Sequence, residues 1–140
     1  MPEIKFDTGI VTYTLNESCQ IAFNPTDSFF VERLYKTFDE LDKKQDAYNA
    51  EVERIADKKE IFEIARKRDA EMRDMIDEAL GTPVCGDLFG GMNVYAMADG
   101  LPAWANLLLA VMDEIDTSFA REQRMTNARI KKYTAKYHKK

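Results

Sequence analysis

Few side chains in this sequence are equipped for catalysis. The one histidine, His138, sits close to the C-terminal end of the 140 residues. Ser–His, Cys–His and His–metal chemistry all need an imidazole held by a rigid scaffold, and a chain end is a poor one. Cys19 and Cys85 stand 66 residues apart with no Cys-x-x-Cys pair. A zinc site would need two further good ligands. Two free, half-buried thiols in a reducing compartment are expected, a single disulfide being the alternative.

Carboxylates are plentiful, among them Asp39, Glu40, Asp42, Asp69, Glu71, Asp74, Asp77, Glu78, Asp113, Glu114 and Asp116. They lack the Glu-x-x-His pairs of a di-metal carboxylate centre and the spacing of an EF-hand loop. They read as solvated helix faces, with Glu40 and Lys44 an acid-then-base pair at i, i+4. Residues 84–91, Val-Cys-Gly-Asp-Leu-Phe-Gly-Gly, carry neither a Gly-Lys-Ser/Thr ending nor a Gly-x-Gly-x-x-Gly pattern. Leu88 and Phe89 are therefore expected to plug into the core of a helical domain. No metal and no cofactor are expected, and an enzyme is the least expected class.

Charge is distributed unevenly. Residues 121–140 hold eight Lys/Arg and one acid, while the other 120 hold 12 basic and 24 acidic side chains. A basic, flexible tail at 126–140 (Arg129, Lys131, Lys132, Lys136, Lys139, Lys140) follows a single helical domain at 1–125. Such a tail fits an acidic partner, nucleic acid, a neighbouring copy, or solvent alone. Tyr133 and Tyr137 interleave with its lysines, which suits base stacking, but the net charge of −5 argues against nucleic acid as a main partner. The sequence shows no secretory signal segment and no run near the ~20 apolar residues that span a bilayer.

The elements that must position these residues are mainly helical. Residues 3–23 read as short strands, with Ile4, Phe6, Ile10, Val11, Tyr13 and Leu15 alternating roughly with polar residues and turns at 7–9 and 16–18. Pro25 favours an extended residue before it, and Thr26 or Asp27 supplies a helix cap. From Thr26 to Leu80 there is neither Gly nor Pro. Within that span Leu34, Phe38, Leu41, Gln45, Tyr48, Val52 and Ile55 form a heptad seam with one polar member. A second face follows: Ile61, Phe62, Ile64, Ala65, Met72, Met75, Ile76 and Leu80. Between the faces lies Asp57-Lys58-Lys59-Glu60, with capping-box spacing. The span is either one helix of ~80 Å or, the favoured reading, a hairpin turning near 56–59. Gly81 and Pro83 end it.

Residues 93–98 read as a short apolar helical stretch, and 99–102 as a break. Trp104, Leu107, Leu108, Val111, Met112, Ile115 and Phe119 then give a wide apolar helical face, with Trp104 either a core residue or an interface anchor. The fold class is mainly α with a small N-terminal β element (α+β): a long charged helix or helical hairpin plus a C-terminal amphipathic helix.

The order of these parts resembles the tail assembly chaperones of long-tailed phages and prophages of Gram-positive bacteria. The resemblance rests on Phe23-Asn24-Pro25-Thr26-Asp27, on Asp87-Leu88-Phe89-Gly90-Gly91 and on the helix from Trp104 to Ile115. It implies a non-enzymatic, self-associating protein of the bacterial cytoplasm that coats and solubilises the tape measure protein until the tail tube grows around it. The strongly basic tail departs from the family's pattern. The candidate contact residues are Leu34, Phe38, Leu41, Tyr48, Val52, Ile55, Phe89 and Trp104. A permanent tail or connector component of the virion is the alternative, as is a phage protein that meets host factors through its basic tail.

Overall fold

A computed structural model describes residues 1–125 of the chain. The order is β1 (Val11–Leu15), β2 (Cys19–Phe23), α1 (Ser28–Glu53), α2 (Lys58–Leu80), α3 (Cys85–Phe89), β3 (Met97–Ala98), β4 (Leu101–Pro102) and α4 (Ala103–Arg124). The architecture is mainly α with a small N-terminal β element, as the sequence leads one to expect. The tail residues fall outside the described ones.

β1 and β2 form an antiparallel hairpin, Val11 opposite Phe23 and Leu15 opposite Cys19. Asn16 and Glu17 turn it at positive φ. The expected strand over 3–10 does not form; the chain there belongs to no ladder. Its turn is the reason. Gly9 adopts φ +75° and donates its N–H to Asp7 Oδ1 at 2.8 Å. Asn24 Nδ2 donates to the Thr8 carbonyl at 2.9 Å, while Asn24 Oδ1 accepts from the Thr26 N–H and hydroxyl. This one side chain thus ties the N-terminal arm to the entry of α1. A Cβ on Gly9 would come within 2.6 Å of Asn24 Nδ2, so the contact requires glycine.

The span from 26 to 80 is a hairpin. Asp27, not Thr26, caps α1, accepting from the Phe29 N–H. α1 stops at Glu53, and Asp57 starts α2 by accepting from the Lys59 N–H. Arg33 near the start of α1 donates to the Ala79 carbonyl at the end of α2, which fixes the two as antiparallel. Gly81 closes α2 in the left-handed conformation, φ +71°. The Glu40–Lys44 pair is absent from the ion pairs; Lys43 meets Asp39 at 3.1 Å, and Lys44 reaches across to Glu71 at 3.7 Å.

Between α2 and α4 the chain forms a strap. The helical stretch expected at 93–98 is replaced by a turn and the β3–β4 ribbon. Asp99 and Gly100 both take positive φ, 56° and 81°, the geometry of a tight hairpin turn. The strap also starts α4. Its Ala96 and Val94 carbonyls accept from the N–H groups of Ala103 and Trp104, at 2.7 and 3.1 Å, replacing the cap that Pro102 lacks.

One core joins the hairpin and the helices. Ile21, Phe23, Phe30, Leu34, Leu41, Met72, Ile76, Val84, Trp104, Leu108 and Ile115 are all buried in it. Two members of the expected faces are outright exposed: Phe62 at 58% and Phe119 at 38%. On α4 the buried stripe runs Val111, Ile115, Ser118, a spacing of four then three, so Phe119 is rotated off it.

Candidate interaction surface

The heptad seam on α1 begins as core. Leu34 and Leu41 have no exposure at all. The Phe38 ring tilts against Trp104 with centroids 5.2 Å apart. Gln45, the polar member of the seam, accepts the Trp104 indole N–H on Oε1 at 3.0 Å. Tyr48 stacks on Tyr95, 4.3 Å between centroids. Trp104 is 1% exposed, a core residue and not a surface anchor. Leu34, Leu41 and Trp104 therefore lie inside the folded chain, Phe38 and Tyr48 are half-buried against it, and this part of the seam closes on α4 and the strap.

Past Tyr48 the seam opens. Val52 and Ile55 are half-buried. Ile55, Ala47 and Ala50 line an open groove of about 640 Å³ at the far end of the α1–α2 hairpin, with Lys44, Glu51, Arg54 and Arg68 around it. Arg68 holds that rim together. It forks onto Glu51 with bonds of 3.2 and 3.1 Å and onto Glu71 with bonds of 3.0 and 3.1 Å. The hydrogen bonds from Arg68 hold the Glu51 carboxyl below the usual glutamate range. The same bonds to Glu51 and Glu71 push the Arg68 guanidinium up. Chemically this is a small apolar floor of Ala47, Ala50 and Ile55 between charged side chains.

α2 carries the second polar constellation. Asp69 Oδ1 accepts from the Val94 N–H at 2.7 Å, and its Oδ2 accepts from Arg73 Nε at 2.9 Å. Arg73 donates through Nη2 to the Gly90 and Met92 carbonyls, at 2.8 and 2.6 Å. Asp77 Oδ1 accepts from the N–H groups of Val84 and Cys85, at 2.9 and 3.0 Å. Asn93 Nδ2 donates to the Ala65 carbonyl at 3.2 Å. Asp69 and Asp77 are thus fasteners for the strap and not the solvated acids expected from composition. Their spacing at i, i+4, i+8 with Arg73 was the available signal.

No protein family profile matches this chain. Nor does any curated protein or solved structure. The surfaces consequently rest on their own chemistry. Among the described residues, no group of three or more His, Cys, Asp or Glu is placed to hold a metal ion, and no helix is long and apolar enough to cross a membrane.

Both cysteines are free. Cys19 is half-buried and Cys85 buried. Burial, with lesser contributions from Asp87 and Asp77, raises the Cys19 pKa. Burial, with the nearby Asp77, raises that of Cys85 far above the ordinary thiol range. Phe89 is half-buried and lines a second groove with Leu15, Leu88 and Leu107, between the β1–β2 turn and α4. Arg129, Lys131, Lys132, Lys136, Lys139 and Lys140 lie outside the described residues. Sequence reasoning missed Ala47, Ala50 and Arg68, because small and charged residues beside a seam carry no apolar signal of their own.

Proposed function

We propose that the chain is a non-enzymatic phage tail assembly factor, a tail assembly chaperone that binds and solubilises the tape measure protein in the bacterial cytoplasm. The observation that supports this reading is the change of character along one seam. Its first part is spent on the chain's own core. Its last part, at Ile55 with Ala47 and Ala50, remains an open apolar groove between charged side chains. A long helical client with apolar seams aggregates when bare, and a groove of this form masks one such stretch at a time. The charged rim keeps the complex in solution and the contact reversible.

The test is co-expression with the cognate tape measure protein, followed by sizing chromatography with light scattering. The client is expected in the soluble fraction, comigrating with many copies of this chain. Ala50→Glu combined with Ile55→Asp changes exposed and half-buried positions only, and should abolish that comigration while the helical circular dichroism stays unchanged. A client that stays insoluble with the unaltered chain overturns the chaperone reading, and one that comigrates equally with the variant rules the groove out as its site.

A second reading, a permanent tail or connector component, draws support from the N-terminal arm. Ile4, Phe6 and Ile10 are 91%, 79% and 61% exposed, as suits a segment covered by a neighbouring subunit. Assembled particles separate the two: a component is present in fixed copy number and a chaperone is absent.

A further inference from the structure

The arm and the second groove are complementary. The groove consists of two adjoining hollows of about 470 and 170 Å³ along the outside of β1 and α4, which share Thr14, Leu15 and Ala110. Leu15, Phe89, Leu107 and Val111 give it apolar walls, and among the described residues Glu114 is the one charged residue lining either hollow. The arm offers Ile4 and Phe6, 91% and 79% exposed, as apolar side chains to fill it.

The arm does not lie in its own groove, since residues 1–10 are all exposed. Val11 pairs with Phe23, and Thr8 is tied to Asn24, the next residue along. From Val11 back to Thr8 the chain therefore runs on past the end of β2. The wider hollow lies at the opposite end of the hairpin, beside Leu15 and Asn16. Residues 1–7, about 23 Å when extended, leave the molecule at the Asn24 end, where a second molecule can receive them.

We propose that the arm of one copy lies in the β1–α4 groove of a second copy, and that the exchange is reciprocal. Area selects reciprocity. Ile4 and Phe6 contribute roughly 350 Å² from the arm, and a matching groove surface brings one contact to roughly 700 Å², short of a specific complex. Two such contacts about a two-fold axis reach roughly 1,400 Å², within the range of a stable one. The proposal concerns copies of this chain alone and does not rest on the tape measure reading.

Sedimentation of the purified full chain tests it. The unaltered protein should run at twice its 16.1 kDa. Ile4→Asp with Phe6→Asp disables the arm at exposed positions, and Ala110→Arg blocks the groove from an exposed helical position. Each variant should keep its helical spectrum and associate about tenfold more weakly or worse. Mixing the two variants restores one of the two contacts, and should give a heterodimer weaker than the unaltered dimer at concentrations where neither variant self-associates. A monomeric unaltered chain overturns the proposal. So does a dimer that survives both variants, or a mixture that binds as tightly as the unaltered chain.

Discussion

Gln45 looks like a flaw in an otherwise apolar seam, and repairing it should do harm. Its Oε1 is the acceptor for the indole N–H of Trp104, which is 1% exposed. Gln45→Leu leaves that donor buried and unpaired, at a cost of about 1–3 kcal/mol. Urea denaturation followed by Trp104 fluorescence measures this directly. Tyr95 gives the opposite case. Its hydroxyl is buried without a hydrogen-bond partner among the described residues, and burial raises its pKa well above the ordinary phenol range. Tyr95→Phe keeps the ring on Tyr48 and removes the stranded hydroxyl, so it should be neutral or stabilising by up to about 1 kcal/mol in the same assay. Glu51 supplies the pH dependence. Its folded carboxyl titrates below the unfolded one, so its contribution is complete above about pH 4.3. That contribution is lost as the pH falls through the lower folded value. The urea midpoint should decline over that acid range, and less steeply in Glu51→Gln.

Helices α1, α2 and α4 were legible in the sequence because each combines good helix formers with an apolar stripe and a stop. The hairpin break was legible through Asp57, whose side chain caps α2. The strap was not. Its apolar residues at 94–98 match a helical pattern over a length too short to distinguish, and the Asp99-Gly100 turn signal was outweighed by Pro102 beyond it. The strap is held by side chains from another element, above all Arg73, whose guanidinium bonds to Asp69 and to the Gly90 and Met92 carbonyls. Such tertiary fasteners have no local signature. Arg73→Ala leaves the Gly90, Met92 and Cys85 carbonyls to water and the half-buried Asp69 carboxylate without its cation, and should cost about 1–3 kcal/mol in urea denaturation. Arg73→Lys cannot fork onto three acceptors and should recover only part of that loss.

At the scale of the whole molecule, the core and the candidate surfaces were read from the same residues, and only packing separates them. Leu34, Leu41 and Ile55 share one heptad pattern. The first two meet the core and the third meets an open groove, because α4 and the strap cover only part of α1. A sequence pattern marks a face that must be buried without naming what buries it. The same holds for the arm, whose Ile4, Phe6 and Ile10 alternate as a strand would but find no strand to join. Solvent access should be just as uneven for the thiols. A maleimide at neutral pH should modify Cys19 slowly and leave Cys85 intact until the chain unfolds; mass spectrometry of the peptides reads both.

The Trp104–Gln45 bond joins positions 59 residues apart in the chain, while β1 with β2 and α1 with α2 are neighbours in sequence. Local pairs close early and distant ones late, since a long loop costs more to close. In a refolding trace, the two hairpins should therefore form while the one tryptophan is still in water. The indole signal would then change only when α4 docks. Helical ellipticity should lead fluorescence in stopped-flow refolding, and Gln45→Leu should lengthen the gap between them.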